Sequence, residues 1–346
     1  SNFKFLENSL KYFLNFVKMK FSTEELLQGI LAQDKRILGK AITLIESKKP
    51  EHRVLAEELL KKILPYAGKS VRIGITGVPG AGKSTFIESF GKFAISQGKK
   101  VAVLAIDPSS SVNKGSILGD KTRMEELAKD ENAFIRPSPS SGFLGGVANT
   151  TFETMLICEA AGYDYILIET VGVGQSEVLV ADISDVILLL KVVGTGDELQ
   201  GIKRGLMEMV DVIFINKVHE ENLKEARMHR SELIHALQFQ HPKEKDWKVP
   251  VLLGSALHNE GLDEVYEKIS DFISLKIKTG RLEEVRKIQA EKRFEYWVHQ
   301  YILSATKSTH ELENQFESHK KNASELKSNP SSEAKIFVES LLNKKL

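Results

Sequence analysis

Residues 71 to 85 read VRIGITGVPGAGKST, and no other stretch narrows the possible folds as far. A short β-branched run enters a loop with glycine at positions 77, 80 and 82. Lysine and a hydroxyl residue follow, giving the G-x-x-x-x-G-K-[ST] spacing of a phosphate-binding loop. Glycines let backbone N–H groups turn inward around phosphate oxygens, and the start of the following helix adds positive potential. Gly77, Gly80, Ala81, Gly82, Lys83, Ser84 and Thr85 are therefore the candidate phosphate-site residues. Lys83 is expected to reach the β- and γ-phosphates, and the Ser84 hydroxyl to ligate Mg²⁺.

The surrounding pattern gives this loop a fold. From Ser70 onward, short apolar runs alternate with helical segments: VRIGIT, KVAVLAI, AFIR, YILIE, VILLLKV, DVIFI and VPVLL. Near-continuous apolar strands separated by helices predict an α/β fold, a P-loop NTPase with a mainly parallel central sheet flanked by helices. Ligands in such folds meet the loops at the carboxyl ends of the strands. Residues 22 to 67 read as small helices, with Thr23 as a cap, a run from Lys35 to Ser47, and another after Pro50 that stops at Pro65. Beyond Leu275 the strands stop. A charged helical pattern over 276 to 304 carries an apolar stripe at Val285, Ile288, Trp297, Ile302 and Leu303. A polar stretch from Lys307 to Ser332 then leads to a last helix, SSEAKIFVESLL. The expected organisation is an N-terminal helical region (1–68), a P-loop domain (69–275) and a C-terminal helical arm (276–346), whose apolar stripe fits either a helix–helix interface or packing back on its own domain.

Composition removes several classes of partner. The net charge is +1 with no polybasic stripe, so neither nucleic acid nor an anionic membrane is expected. No apolar stretch is long enough to span a bilayer. The first twenty residues lack a continuous apolar core and a small-residue cleavage site, so a secretory signal is not expected. The lone cysteine, Cys158, excludes an internal disulfide framework and suits a reducing, cytoplasmic setting. It is expected to be a buried helix residue.

A triphosphate site also needs metal ligands and elements that respond to the γ-phosphate. Asp107 and Glu169 both fall where apolar strands end, which makes them candidate Mg²⁺ ligands and catalytic residues beside Lys83. Four polar or glycine-rich segments are candidate switches: Asp107–Ser111 with Gly119–Arg123, Ser140–Gly146, Thr170–Gln175, and Gly194–Glu198.

Taken together, GVPGAGKST, AIDPSSS, GSILGDKTRM, FIRPSPSSGFLGGV, ICEAAGYDYILIETVGVGQSE, GDELQGIKRGLMEMVD and SALHNEGLDEV resemble one family. This is the methylmalonyl-CoA mutase-associated GTPases (MeaB, MMAA and ArgK proteins) of the SIMIBI class of P-loop GTPases. The match is collinear over about residues 22 to 300. The resemblance implies a homodimeric GTPase, with the C-terminal helices 276–346 as its dimerisation arm, acting as a chaperone of an adenosylcobalamin-dependent acyl-CoA mutase, gating cofactor loading and protecting the mutase. It implies GTP as substrate and GDP as product, with Mg²⁺ as cofactor. It also implies that Asp107, Asp120 and Glu169 belong to the metal and switch region, with Asp107 ordering the water, and that Gly172 contacts the γ-phosphate. Gln175, Asp197 and Glu198 fall in switch segments, the last two in one that communicates with the mutase. Asn216, Lys217, Ser255 and Ala256 match the loops that support the base.

One position departs from the pattern. Guanine is usually read by Asn-Lys-x-Asp, whose carboxylate accepts hydrogen bonds from both N1–H and the 2-amino group. Here the text is Asn216-Lys217-Val218-His219. A neutral imidazole has one acceptor nitrogen and cannot reproduce that bidentate contact. The expectation is GTP binding with weakened base selectivity, with Glu220 or Glu221 as substitute acceptors. Two other readings of the chain stay open: an ATP-using kinase or transport accessory of the ArgK type, and a nucleotide-binding scaffold with decayed catalysis.

Overall fold

Alternate residues along single strands enter two different cores. On the strand Val186–Val192, the side chains of Val186, Leu188 and Leu190 join one apolar cluster, while Ile187 and Leu189 join another. A strand buried on both faces must sit inside a three-layer sandwich, which is why its sequence is apolar almost throughout. The computed structural model describes residues 22–47, 49–106, 124–137, 144–170, 180–194, 204–239, 243–306, 309–325 and 327–343.

The sheet has seven parallel strands: β1 Val71–Gly77, β2 Val101–Ile106, β3 Ala133–Pro137, β4 Tyr165–Thr170, β5 Val186–Val192, β6 Val212–Asn216 and β7 Val251–Leu253. Their order is β3-β2-β4-β1-β5-β6-β7, with β1 at the centre and paired in register to β4 and β5. The seven apolar runs of the sequence are these strands, and the expected parallel sheet is borne out.

One face is covered by α1 Thr23–Leu31, α2 Lys35–Glu46 and α3 Pro50–Ile63, together with α6 Leu144–Ala160, α7 Arg204–Met207 and α8 Leu223–Leu237. The other carries α4 Lys83–Ser96, α5 Glu125–Lys129 and α9 Leu262–Lys278. On this second face Phe86, Phe90, Phe214 and Phe272 are fully buried, and removal of any one to alanine is worth roughly 3–5 kcal/mol. Cys158 lies fully buried on α6, and burial pushes its thiol pKa up.

The N-terminal helices are fastened to the sheet domain by polar as well as apolar contacts. Arg53 forks onto Glu153 of α6 at 3.1 and 2.9 Å. Arg72 of β1 donates to Glu159 at 2.7 and 3.2 Å, and both side chains are buried. Glu159 also accepts the Gly68 N–H, so its carboxylate is satisfied from two sides. Stripping one partner from such a pair costs roughly 3–5 kcal/mol, because the other charge is left buried.

Two local details differ from the sequence expectation. The cap of α1 is Ser22, not Thr23: Ser22 Oγ accepts the Glu25 N–H, and the Glu25 carboxylate accepts the Ser22 N–H. That reciprocal box needs its hydroxyl three residues before the glutamate, a spacing only Ser22 satisfies. Thr23 instead donates its hydroxyl to Glu58 of α3. The polar stretch after Lys307 also contains a helix, α11 His310–Ser324, capped by Thr309. Its apolar side consists of little more than Leu312 and Phe316, and no residue of it is buried, so its periodicity is faint.

The chain divides into two compact units, Ser1–Val285 and Arg286–Leu346. The helix α10 Arg281–Ala305 runs across that division, and the second unit continues with α11 and α12 Pro330–Asn343. Within the second unit the rings of Phe316 and Phe337 meet at 5.4 Å, and His319 pairs with Glu333. A cavity of about 480 Å³ lies among its helices, lined by residues including Ile302, Leu303, Phe316 and Phe337.

Candidate functional site

The loop between β1 and α4 opens at the carboxyl end of the central strand. Gly80 and Gly82 hold φ of +84° and +86°, in the left-handed region that costs other residues roughly 1–2 kcal/mol. Gly82 is also packed tightly: a Cβ there would stand 2.6 Å from Asn216 Nδ2. Lys83 begins the helix, so the N–H groups of Lys83, Ser84 and Thr85 belong to the first turn and have no intrahelical acceptor. These donors and the helix dipole together favour an anion at this point.

The Lys83 ammonium is buried and donates to the Gly77 carbonyl at 2.7 Å and the Val78 carbonyl at 3.2 Å, across the mouth of the loop. Ser84 Oγ donates to Glu169 Oε1 at 3.0 Å. Glu169 comes from β4, which neighbours β1, so the parallel register brings a residue 85 positions away beside the loop. Hydroxyl and carboxylate form a partly buried pair of hard oxygen donors, a set that suits Mg²⁺ and not a thiophilic metal. Beneath them Thr170 Oγ1 meets Thr76 Oγ1 at 3.3 Å, both fully or almost fully buried.

The second half of the site lies on the loops after β6 and β7. Asn216 ends β6 and is buried; its Nδ2 donates to the Ala81 carbonyl at 2.9 Å, and its Oδ1 accepts the Ala256 N–H at 2.9 Å. One amide thus ties the phosphate loop to the Ser255–Ala256 loop. Ser89 of α4 adds a further link, donating to the Ala256 carbonyl at 2.7 Å. Lys217 holds a left-handed φ of +61°, and its Cε lies 3.7 Å from where a Cβ on Gly82 would stand, so its stem runs beside the loop.

The Ser255 loop is shaped by Gly254 and Gly261. A Cβ on Gly254 would meet the Glu260 carbonyl at 2.2 Å and the Phe214 ring at 2.8 Å, and Ser255 pairs with Glu260 through both backbone bonds. The Ser255 hydroxyl is buried and has no hydrogen-bond partner among the described residues.

His219 is exposed and extended, and its ring lies 5.5 Å from that of His258 with planes at 77°. Its N–H is taken by Asn222 Oδ1 at 2.7 Å, and Asn222 Nδ2 donates to the Lys217 carbonyl at 2.9 Å. Glu220 and Glu221 begin the short 3₁₀ turn that follows, with exposed side chains. Sequence reasoning singled out neither His258 nor Asn222. The first acquires meaning only through its proximity to His219, and the second through a contact that closes its own loop.

The structure therefore gathers Gly77, Gly80, Ala81, Gly82, Lys83, Ser84, Thr85 and Glu169 around the phosphate loop, and joins Asn216, Lys217, Ser255 and Ala256 to it through the Asn216 side chain. Asp107, Asp120, Gly172, Gln175, Asp197 and Glu198 lie outside the described residues, as does Arg123.

Sheet order, loop and flanking polar groups define the class: a P-loop nucleoside triphosphatase of the α/β type. The family model for the methylmalonyl-CoA mutase-associated GTPase MeaB matches residues 38–311, and the chain belongs to that family. GTPase ArgK of Escherichia coli K12 is 49% identical over 277 residues, covering 80% of this chain and 82% of that relative. The mitochondrial methylmalonic aciduria type A homolog of Mus musculus is 45% identical over 276 residues, 77% of this chain and 66% of the mouse protein. Among solved structures, a LAO/AO transport system kinase superimposes with a TM-score of 0.72 at 36% identity, covering 92% of this chain and 97% of the other. The chain is thus a guanine-nucleotide-binding GTPase of a family associated with methylmalonyl-CoA mutase. Among the described residues no helix is long and apolar enough to cross a membrane.

Proposed function

We propose that this GTPase is a cytoplasmic chaperone of an adenosylcobalamin-dependent acyl-CoA mutase of the methylmalonyl-CoA type, gating cofactor loading and protecting the mutase. The observation that carries the nucleotide chemistry is the grouping of Lys83 with the Ser84–Glu169 pair at the mouth of the loop. The mutase as partner is supported by the description of the family whose model spans residues 38–311.

In this reading the first-turn N–H groups of α4 donate to the phosphates, and the Lys83 ammonium compensates charge that builds between the β- and γ-phosphoryl oxygens. Ser84 and Glu169, with Asp107, would hold Mg²⁺, whose charge neutralises those oxygens when it is bound. Asp107 orients the attacking water, Gly172 donates its N–H to the γ-phosphate, and Asp120, Gln175, Asp197 and Glu198 carry the response to its loss. Water attacks the γ-phosphorus, the bond to the β-phosphate oxygen breaks, and GDP and phosphate leave. Asn216 keeps the phosphate and base halves in fixed relation through its two bonds. A homodimer formed through the C-terminal helices is consistent with the half-exposed Ile302, Leu303, Ile336 and Val338.

The test is GTP turnover by the full chain with and without purified methylmalonyl-CoA mutase. A stimulation of about tenfold or more is expected, since a partner that completes a GTPase site has at least this effect. Phosphoryl transfer to a protein acceptor with no effect of the mutase would instead support a kinase. Binding without turnover would leave a scaffold.

A further inference from the structure

The contacts that join the phosphate loop to the loops after β6 and β7 limit where a purine can lie. With phosphates at Lys83, a nucleotide can extend along the side where Asn216 bridges Ala81 to Ala256 and the Lys217 stem passes Gly82. Its base then meets the loops after β6 and β7, which carry His219 and His258 in edge-to-face contact at 5.5 Å. The His219 loop is closed by Asn222 on both the His219 N–H and the Lys217 carbonyl, while Glu220 and Glu221 are turned into a 3₁₀ segment with exposed side chains.

We infer that the His219–His258 pair leaves the 2-position of the base unread, so that the site takes 6-oxopurine nucleoside triphosphates as a class. Guanine, hypoxanthine and xanthine all present N1–H, which one imidazole nitrogen can accept. They differ at carbon 2, where guanine has an amine, hypoxanthine a hydrogen and xanthine an oxygen. A carboxylate at position 219 would accept from the amine and repel the oxygen. A neutral imidazole does neither, because its second nitrogen points away from the first in the ring plane. The His258 ring offers the purine an aromatic edge or face, a contact common to the three. This inference rests on the proposed phosphate and base halves of the site and concerns only the reading of the base.

The experiment is displacement of a fluorescent GDP analogue from the full chain by GTP, ITP and XTP, repeated for His219→Asp and His258→Ala. The wild-type chain should bind the three within about threefold of one another, far from the gap that a matched pair of hydrogen bonds creates. His219→Asp should open a preference for GTP over ITP and XTP of roughly 10- to 100-fold. His258→Ala should weaken all three alike. Position 219 is exposed, so an unchanged melting temperature verifies that the variants are folded. GTP bound more than about tenfold tighter than ITP by the wild-type chain, or a ratio unmoved in His219→Asp, overturns the inference while leaving the phosphate site standing. Failure to bind any of the nucleotides overturns the inference and the proposed site together.

Discussion

At the phosphate end the polar atoms come from one contiguous turn plus Glu169, whereas at the base end they are assembled from loops after two different strands and bridged by Asn216. The first arrangement is local: glycine conformation and the start of a helix make an anion site from a few successive residues. The second is non-local, and its selectivity hangs on one side chain, His219, whose loop is closed on itself by Asn222. An anion site of backbone donors tolerates little change. A base reader built from side chains can be retuned at a single position without disturbing the fold.

The phosphate end should produce the largest effects, and they should not depend on the base. Lys83→Ala removes the buried ammonium at the loop mouth and should lower turnover by roughly 10²- to 10³-fold for GTP and ITP alike, measured in single-turnover assays. A loss confined to one base would break the separation of the two halves. Asn216→Ala comes next, because it leaves the Ala81 carbonyl and the Ala256 N–H without their buried partner. It should cost about 2–4 kcal/mol of stability in denaturant unfolding, and it should weaken nucleotide binding as the two loops come apart. Stability within 0.5 kcal/mol of wild type, taken as about the noise of surface changes, would mean the bridge is unimportant.

How much of this was legible in the sequence differs between the same two regions. The loop, its lysine and the seven strands follow from apolar runs and glycine spacing, because those signals are local. Ser84 is marked by the loop motif and Glu169 by its place at the end of an apolar run, while their 3.0 Å contact depends on β1 and β4 being neighbours. The base end was legible in its motif but not in its contacts. His258 reaches His219 through the adjacency of β6 and β7, and Gly254 is required by Phe214 beneath it. Helix α11 is faint in the sequence because its apolar side is too thin to generate periodicity, and Ser22 and Thr23 are both capping residue types that only the reciprocal bond with Glu25 tells apart.

Smaller effects sharpen the comparison further. Ser84→Ala should raise the Mg²⁺ concentration needed for half-maximal turnover by roughly 10- to 100-fold, the scale on which lost metal-site contacts act. An unchanged Mg²⁺ titration would remove Ser84 from the metal site. Glu220→Gln and Glu221→Gln should leave the ratio of GTP to ITP affinity within about twofold of wild type, since both side chains are exposed in the 3₁₀ turn. A larger drop in that ratio for either would identify it as the substitute acceptor.

The division between the two ends is tested most directly by a crystal structure of the full chain with a non-hydrolysable GTP analogue and Mg²⁺. The account predicts the β- and γ-phosphates against Lys83 and the first turn of α4, with Mg²⁺ touching Ser84. It predicts the guanine beside Lys217 with one ring nitrogen of His219 on N1–H and no protein acceptor on the 2-amino group. A 2-amino group held by a carboxylate, or a base lying away from the β6 and β7 loops, would contradict it.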